Sequence, residues 1–198
     1  MELVYILIVA TIAYLIGSIS TGYLIVKIKT GQDIREVGSG STGATNVKRV
    51  LGKKWFFIVL LLDAIKGALP VVLVKMFLPD VYGIYAVVAA VMVIVGHSKP
   101  IFLQFKGGKS VASGVGTILA LNPIVGALIA VVWAIITYVS KYVSLGSIIA
   151  LILSPILMFV FKNPIGYVVY CLIAAIYIVY LHRENIKRLL KGEENKVR

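Results

Sequence analysis

Long apolar runs separated by short polar segments make up most of this chain of 198 residues. An α-helix needs roughly 20 apolar residues to cross a hydrocarbon core of about 30 Å. Seven runs meet or approach that length, so the pattern predicts an all-α integral membrane protein of about seven transmembrane helices, in a single polytopic domain over residues 1–198. The fourth and sixth runs are short for a full crossing, and six or eight spans remain alternatives. The predicted spans cover residues 3–26, 55–78, 81–95, 111–121, 124–139, 147–161 and 165–181.

The cations indicate how these spans are oriented. With seven spans, all but three of the 20 Lys and Arg residues fall on one side of the membrane. The exceptions are Lys66, which lies within a span, and Lys75 and Lys162 on the other side. Because basic loops are retained in the cytoplasm, we predict that the N-terminus is outside and the C-terminus is cytoplasmic. The predicted cytoplasmic segments cover residues 35–54, 96–113, 140–147 and 182–198.

Composition supports a membrane protein. Hydrophobic residues make up 60% of the chain and charged residues only 14%, with a mean hydropathy of +1.00. A soluble domain is nearer to about 25% charged. The net charge of +12 has two interpretations, namely topology with anionic lipid headgroups or an anionic substrate. The first explains scattered cations, but it does not explain cations placed among glycines.

The first cytoplasmic segment combines glycines, hydroxyls and cations. Three glycines match a dinucleotide-binding fingerprint, but that fingerprint follows a β-strand, whereas a membrane span precedes it here. What remains is that glycine permits positive φ and close backbone approach, so that successive N–H groups can form an anion-binding nest. A flexible linker is the alternative, although a linker has no need of an arginine or an asparagine. The candidate residues are Gly38, Ser39, Gly40, Gly43, Thr45, Asn46 and Arg49.

The second segment again offers glycine and lysine together. Gly108, Lys109 and the serine that follows look like the end of a Walker loop, but Leu103 stands where that loop requires glycine. The local chemistry nevertheless suits a phosphate group. Phe102 and Phe105 either anchor the segment at the headgroups or line a path for an acyl chain.

The tail after residue 181 is predicted to continue the last helix. His182 and Asn185 then share one face, and a basic helix at this place indicates topology and lipid anchoring. The polar stretch over residues 140–147 is either a loop or a further contributor to a site. In the second span, Asp63 and Lys66 lie one turn apart, where charges are costly unless they are paired or face a polar cavity. We favour a structural pair.

Some chemistries find no support in the sequence. No His-x4-Asp acyltransferase dyad is present, and no carboxylate cluster suits a divalent metal. We therefore expect no metal and no cofactor. The lone Cys171 falls near the middle of the last span and is interpreted as a packing residue.

Together the three segments resemble one family, the bacterial acyl-phosphate:glycerol-3-phosphate acyltransferases (PlsY), over the whole chain. Any one motif is weak, but their combination and order are specific. The one departure is Ser41, which is often Asn in that family. The motifs are Gly38-Ser-Gly-x-x-Gly-Ala-Thr-Asn46 with Arg49 and Gly52, Gly96-His97-x-x-Pro100 through Gly107-Gly108-Lys109, and His182-Arg183-x-Asn185-Ile186-x-Arg188-Leu189 with Gly192 and Glu193.

The resemblance implies a membrane acyltransferase. Such an enzyme moves a fatty acyl group from acyl phosphate to the 1-hydroxyl of sn-glycerol 3-phosphate, which gives lysophosphatidic acid and phosphate in the first acylation of phospholipid biosynthesis. It implies a multi-pass protein of the bacterial cytoplasmic (inner) membrane with its active site on the cytoplasmic side. The expected partners are both substrates and membrane lipid. The enzyme that makes acyl phosphate is a further candidate partner, and nucleic acid is not expected.

The family pattern also implies roles for single residues. Ser39, Arg49, His182 and Asn185 are expected to serve catalysis, and Glu193 is expected to have a structural role. His182 is an orienter or a proton acceptor, and the departing phosphate is the alternative acceptor. The substrate-binding and phosphate-binding candidates are Gly38, Gly40, Gly43, Thr45, Asn46, His97, Lys106, Gly107, Gly108, Lys109 and Ser147.

We expect the glycerol hydroxyl to attack the acyl carbonyl directly while the three motifs hold both phosphates. An acyl phosphate is already activated, so neither a metal nor an acyl-enzyme is required. A function from a different class stays open at this point, because a non-catalytic anion or lipid transporter would share the basic cytoplasmic mouth and the spans.

Overall fold

The computed structural model describes residues 1–78 and 83–196, and every regular element in these ranges is helical. Val81 and Tyr82, with which the third predicted span begins, lie outside the described residues, as do the last two residues of the predicted tail segment. Short 3-10 turns lie at Ile34–Glu36 and Ile101–Leu103. The helices are α1 Glu2–Ser18, α2 Thr21–Thr30, α3 Ala44–Leu51, α4 Lys53–Phe77, α5 Ile84–Ser98, α6 Val111–Leu121, α7 Pro123–Ser140, α8 Val143–Val160, α9 Ile165–Leu181 and α10 Arg183–Leu190.

The chain forms two compact units. Unit 1 comprises Met1–Thr117 and unit 2 comprises Ile118–Arg198. Helices α1 to α5 belong to unit 1 and α7 to α10 to unit 2, while α6 contributes residues to both.

Five helical segments in the described ranges are long and apolar enough to cross a membrane, and the bent pair α9 and α10, at 62° to each other, makes a sixth if it counts as one span. The remaining apolar helix, α6, has 11 residues and is only about 16 Å long at 1.5 Å per residue. The fold class is therefore that of an integral membrane protein with five to six apolar helices, and the count of seven stays a prediction. The five segments are Glu2–Thr30, Lys53–Phe77, Ile84–Leu103, Pro123–Ser140 and Val143–Val160.

Glycines let the helices of unit 1 approach one another closely. A Cβ built on Gly17 in α1 would collide with the carbonyl oxygen of Val93 in α5, and one built on Gly96 would collide with that of Tyr14. Small residues serve this purpose in membrane helices, where packing rather than a hydrophobic driving force holds helices together. These contacts bring the C-terminal end of α5, and with it His97, against α1.

The first span is a broken helix. The backbone leaves the helical conformation at Ile19 and Ser20, between α1 and α2. The Lys66 ammonium group donates to the carbonyl oxygen of Ile19 at 2.7 Å and pairs with Asp63 at 2.9 Å. The Thr21 hydroxyl donates to Asp63 Oδ1 at 2.5 Å. The predicted Asp63–Lys66 pair is thus confirmed, and it provides hydrogen-bond partners for backbone that lipid cannot satisfy.

Unit 2 is built from sequential helices with short connections. The side chain of Asn122 caps α7 by accepting from the backbone N–H groups of Ile124 and Val125, at 2.9 and 3.1 Å. Only residues 141 and 142 connect α7 to α8, because α8 begins at Val143. Most of the polar stretch over residues 140–147, which the sequence left open as a loop, is therefore helical. The sixth predicted span, 147–161, likewise begins four residues earlier than expected.

Candidate functional site

Two glycines shape the loop between the first 3-10 turn and α3, residues 38–43, hereafter the glycine-rich loop. Gly38 has φ +63° and Gly40 has φ +69°, which is the left-handed region that side chains with a Cβ rarely adopt. A Cβ on Gly38 would also collide with the side-chain oxygen of Asn46. Gly43 is the N-cap residue of α3, and no side chain in the described ranges caps this helix. The loop therefore leads directly into the N-terminus of α3, which has no side-chain cap among the described residues.

Asn46 holds the glycine-rich loop in shape. Its side-chain oxygen accepts from the backbone N–H of Ser39 at 2.9 Å. Its side-chain nitrogen carries two N–H groups and lies within hydrogen-bond distance of three carbonyl oxygens, those of Ile34 at 3.2 Å and of Val37 and Ser41 at 2.9 Å. Asn46 is only 1% exposed. Both ends of its amide are thus bonded to the loop backbone, which makes Asn46 an organiser of the loop and not a side chain presented to a ligand.

Ser39 and Arg49 are presented outwards. Both are exposed, and the Arg49 side chain runs past the loop, with its Cδ 3.6 Å from the position that a Cβ on Gly38 would take. Thr45, in the first turn of α3, is half-buried. The loop therefore offers a hydroxyl group and a guanidinium group to solvent from a backbone that Asn46 keeps fixed.

The second glycine pair is held by the end of α5. In the motif-two loop, residues 99–110, the N–H of Gly107 donates to the carbonyl oxygen of Ser98 at 3.2 Å, and the N–H of Gly108 donates to that of His97 at 3.1 Å. A Cβ on Gly107 would collide with the His97 carbonyl oxygen, and one on Gly108 would collide with Nε2 of the His97 ring. Close packing thus already accounts for both glycines. Lys106 is exposed and Lys109 is half-buried.

His97 itself lies inside unit 1 and is 6% exposed. Its Nδ1 lies 3.1 Å from the Ser113 hydroxyl and 3.7 Å from Asp63 Oδ1. The ring therefore connects the motif-two loop to the charged pair of α4. The predicted role of His97 as a phosphate ligand finds no support in this placement.

In unit 2, His182 lies where α9 ends and α10 begins, and it is 3% exposed. Its Nδ1 lies 2.8 Å from the carbonyl oxygen of Ile178. A carbonyl oxygen only accepts, so Nδ1 carries the proton, and in the neutral ring Nε2 then bears the lone pair. This is the tautomer that a proton acceptor at Nε2 requires.

A buried carboxylate organises the tail, residues 182–196. Glu194 Oε1 accepts from the Asn185 side-chain nitrogen at 2.7 Å and from the Ser144 hydroxyl at 2.9 Å. Glu194 Oε2 accepts from Arg188 Nε at 2.7 Å. Burial alone raises the pKa of Glu194, but the hydrogen bonds from Asn185, Arg188 and Ser144 outweigh burial, so the pKa lies below its ordinary value of 4.5. Glu194 is therefore an ionised anchor for Asn185.

Ser147 lies within α8 and is 1% exposed. Its hydroxyl donates to the carbonyl oxygen of Val143 at 2.8 Å and accepts from Trp133 Nε1 at 3.2 Å. It packs α8 against α7, and the substrate role of Ser147 stays a prediction. In the described ranges, no group of three or more His, Cys, Asp or Glu side chains could hold a metal ion.

Comparison with known proteins identifies the family of this chain. The family model for glycerol-3-phosphate acyltransferase matches residues 7–192. The glycerol-3-phosphate acyltransferase of Clostridioides difficile (strain 630) is 41% identical over 201 residues, which cover 100% of this chain and 98% of the relative. This chain belongs to the glycerol-3-phosphate acyltransferase family. The family that the three motifs indicated is thus confirmed.

Two solved structures share the fold of this family member. A crystal structure of PlsY, an integral membrane glycerol 3-phosphate acyltransferase in its glycerol 3-phosphate form, matches with a TM-score of 0.91 at 41% identity, over 98% of this chain and 96% of that one. The lysophosphatidic acid form of PlsY matches with a TM-score of 0.88 at 38% identity, over 98% and 95% of the two chains. The chain is accordingly an acyltransferase of an integral membrane family, and the transporter alternative is not supported.

Within this family member, one predicted role belongs to a neighbouring residue. Glu193 is exposed, and the carboxylate that fixes the tail belongs to Glu194. Gly192 has φ +70° and reverses the chain so that Glu194, and not Glu193, turns back towards α10. Two adjacent glutamates after a glycine give no sequence signal that distinguishes them. Asp63 was recognised as a paired charge, but its position beside His97 required the packing of α4 and α5.

Proposed function

We propose that this acyltransferase takes its acyl group from acyl phosphate and transfers it to the 1-hydroxyl of sn-glycerol 3-phosphate at the cytoplasmic face of a bacterial inner membrane. The observation that carries the proposal is the glycine-rich loop, in which buried Asn46 fixes the backbone while Ser39 and Arg49 face outwards. Solved relatives in glycerol 3-phosphate and lysophosphatidic acid forms support the substrate and the product. Both molecules carry a phosphate group, for which such a loop is suited.

Unit 1 supplies the phosphate-binding groups in this proposal. Arg49 provides a guanidinium that binds phosphate oxygens in a bidentate manner, and Ser39 provides a hydroxyl beside it. The start of α3 adds backbone N–H groups and the positive end of a helix dipole. Lys109, with Gly107 and Gly108, contacts the phosphate of the acyl donor. Asn46 acts behind these groups as a positioning residue.

His182 and Asn185 are the residues that we assign to the transfer step. The 1-hydroxyl oxygen forms a bond to the acyl carbonyl carbon, and the bond from that carbon to the phosphate oxygen breaks. Phosphate leaves with the bonding electron pair. The hydroxyl proton passes to His182 Nε2, which the bond from Nδ1 to Ile178 leaves with the lone pair. The departing phosphate is the alternative proton acceptor.

An assay of purified protein tests the function. Acyl phosphate with glycerol 3-phosphate should give lysophosphatidic acid and phosphate in equal amounts. Acyl-CoA should not replace acyl phosphate, and EDTA should not slow the reaction. Cys171→Ala should remain active, because Cys171 is buried and no step uses a thiol. No product from acyl phosphate, or a stoichiometric acyl adduct on the protein formed at catalytic rates, would contradict the proposed donor or the direct transfer.

A second experiment concerns the membrane topology. We propose seven spans with the N-terminus outside, so that the glycine-rich loop, the motif-two loop and the tail all face the cytoplasm. A single cysteine introduced near Gly40, Lys106 or Glu193 should react with an impermeant thiol reagent only from the cytoplasmic side. Each replacement is made in the Cys171→Ala background. Labelling of any of the three from the periplasmic side would overturn this topology.

A further inference from the structure

A buried polar cluster in unit 1 takes no part in the mechanism above. Asp63 is 1% exposed and Lys66 8%, and His97 and Ser113 are equally enclosed. Asp63 Oδ1 lies within 2.9 Å of the Lys66 ammonium group and accepts from Thr21. Ionisable groups inside a membrane protein are costly and mark functional positions. We define the buried polar cluster as Thr21, Asp63, Lys66, His97 and Ser113.

The two charges of this cluster have different neighbours. Lys66 reaches the Ile19 carbonyl at 2.7 Å and so serves the break between α1 and α2. Asp63 faces the break through Thr21, but it also lies 3.7 Å from Nδ1 of His97. Asp63 is therefore the member that connects the broken first span to the imidazole ring.

The ring in turn determines what fits beside it. Its Nδ1 edge is held by Ser113 at 3.1 Å, with Asp63 behind. Its Nε2 edge packs on the backbone of Gly108 so closely that a Cβ there would collide with it. The backbone carbonyl oxygen of His97 also accepts a hydrogen bond from the N–H of Gly108 at 3.1 Å. A rotation of the ring would consequently displace the glycine pair of the motif-two loop.

We propose that Asp63 is a positioning residue for the motif-two loop and acts through His97, which is itself a positioning residue and not a phosphate ligand. Asp63 and Ser113 fix the ring, and the ring fixes Gly107 and Gly108 in the conformation that accepts the acyl donor. The proposal rests on the proposed function, because it assigns the acyl phosphate to this loop. Glycerol 3-phosphate, assigned to the glycine-rich loop, should be affected little.

The principal variant replaces both charges, Asp63→Asn together with Lys66→Gln, because removing one alone would leave an unpaired buried charge. Folding is checked by size-exclusion chromatography and thermal unfolding in detergent. We expect the KM for acyl phosphate to rise by roughly tenfold, since small misplacements of a binding group cost up to about a hundredfold. The KM for glycerol 3-phosphate should change by less than about twofold, as for any substrate bound elsewhere. Unchanged KM values for both substrates in a folded variant, or equal increases in both, would overturn the proposal.

Thr21→Val is the matched control. It removes the hydroxyl group that Asp63 accepts from at the break, keeps a similar side-chain shape and leaves the pair beside His97. If Asp63 served only the break, both variants would lower the unfolding temperature, the double variant more because it also loses the Lys66 contact to Ile19, and neither variant would separate the two KM values. We expect only the double variant to raise the KM for acyl phosphate without a similar rise in the KM for glycerol 3-phosphate.

A mutant cycle tests whether Asp63 acts through the ring. His97→Ala should raise the KM for acyl phosphate as much as the double variant does. The triple variant should be no worse than His97→Ala, because residues that act as one unit are not additive. Multiplied effects in the triple variant would refute action through His97.

Hydrogen exchange gives a readout that needs no substrate. In the double variant, the amides of Gly107 and Gly108 should exchange faster, because the His97 ring that packs on Gly108 is no longer fixed. Peptides from the glycine-rich loop should exchange as in the wild type. If the wild type proves inactive with acyl phosphate, the proposed function fails, and this measurement still decides whether Asp63 positions the motif-two loop.

Discussion

The glycine-rich loop of unit 1 and the tail of unit 2 are organised by one buried polar side chain each, but by opposite chemistry. Asn46 is neutral and hydrogen-bonds backbone groups of its own segment through both ends of its amide. Glu194 is charged and bonds three side chains, including Ser144 of α8, a helix distant in sequence. The loop is therefore fixed by backbone geometry that no titration alters. The tail depends on an ionised group and on the packing of α8 with α10.

The largest effect should come from Asn46→Ala. It removes the hydrogen bonds at both ends of the amide, and each buried bond contributes about 1 kcal/mol while unmet partners cost more. We expect a loss of about 3 kcal/mol in the free energy of unfolding and a fall in kcat/KM of roughly a hundredfold or more. Asn46→Asp should not rescue the enzyme, because a carboxylate cannot donate to three carbonyl oxygens. Thermal unfolding and steady-state kinetics measure both, with the exposed Asn195→Ala as control.

If Asn46→Ala kept the wild-type kcat/KM, the loop would not need its organiser. The glycine-rich loop would then not depend on a buried polar side chain, and the comparison with the tail would no longer hold.

Glu194→Ala should have the next largest effect. Hydrogen bonds to a charged group contribute about 1.5–3 kcal/mol, which corresponds to roughly a 10- to 150-fold loss of catalytic efficiency if Asn185 depends on this anchor. Glu193→Ala is a closely matched control, because the neighbouring glutamate is exposed and should tolerate the change. Kinetics with both substrates provide the measurement. A loss with Glu193→Ala and none with Glu194→Ala would restore the role that the family pattern implied for Glu193.

Arg49→Ala sharpens the difference between organiser and ligand within the glycine-rich loop. Its guanidinium is exposed, so the unfolding temperature should stay close to the wild-type value. Loss of a charge-assisted phosphate contact should lower kcat/KM by roughly 10- to 150-fold. Arg49→Lys should recover only part of this, because an ammonium group lacks the bidentate geometry. A folded Arg49→Ala enzyme with unchanged kinetics would remove Arg49 from the site.

The smallest effect is a pH dependence that only the tail should show. The pKa of Glu194 in the folded protein lies below its ordinary value of 4.5, so the ionised form stabilises the fold above that value. This contribution is lost as pH falls through the folded-state pKa. Glu194→Gln should therefore lower the unfolding temperature at pH 7, and its difference from the wild type should shrink below about pH 4.5. The difference for Asn46→Ala should stay constant over the same range.

The sequence predicted the helical membrane fold, the family and the paired charges of α4, because hydrophobic runs, motif order and residue spacing carry those features directly. It also indicated that Gly38, Gly40 and Gly43 permit positive φ, which Gly38 and Gly40 adopt and Gly43, with φ −78°, does not. It could not show that Asn46 turns inwards, because an amide suits a loop organiser as well as a phosphate ligand. The ligand roles of His97 and Ser147 stay predictions, and the structure adds that both side chains hydrogen-bond within their own units.

The break in the first span also escaped prediction. Ile19 and Ser20 lie within an apolar run that contains no proline, and their backbone departs from a helix where Lys66, 47 residues later, supplies a partner. A partner so distant in sequence does not change the local pattern of hydrophobic and polar residues. Glu194 was missed because the turn at Gly192 decides which of two equal glutamates faces inwards.

The same break has a consequence for how the protein is made. The first span leaves the ribosome before α4 exists, so the Ile19 carbonyl enters the membrane without the ammonium group that later satisfies it. Until α4 is inserted, that carbonyl must keep water or a component of the insertion machinery as its partner. The nascent first span therefore lacks the partner of the Ile19 carbonyl, and the insertion of α4 with Lys66 supplies that partner.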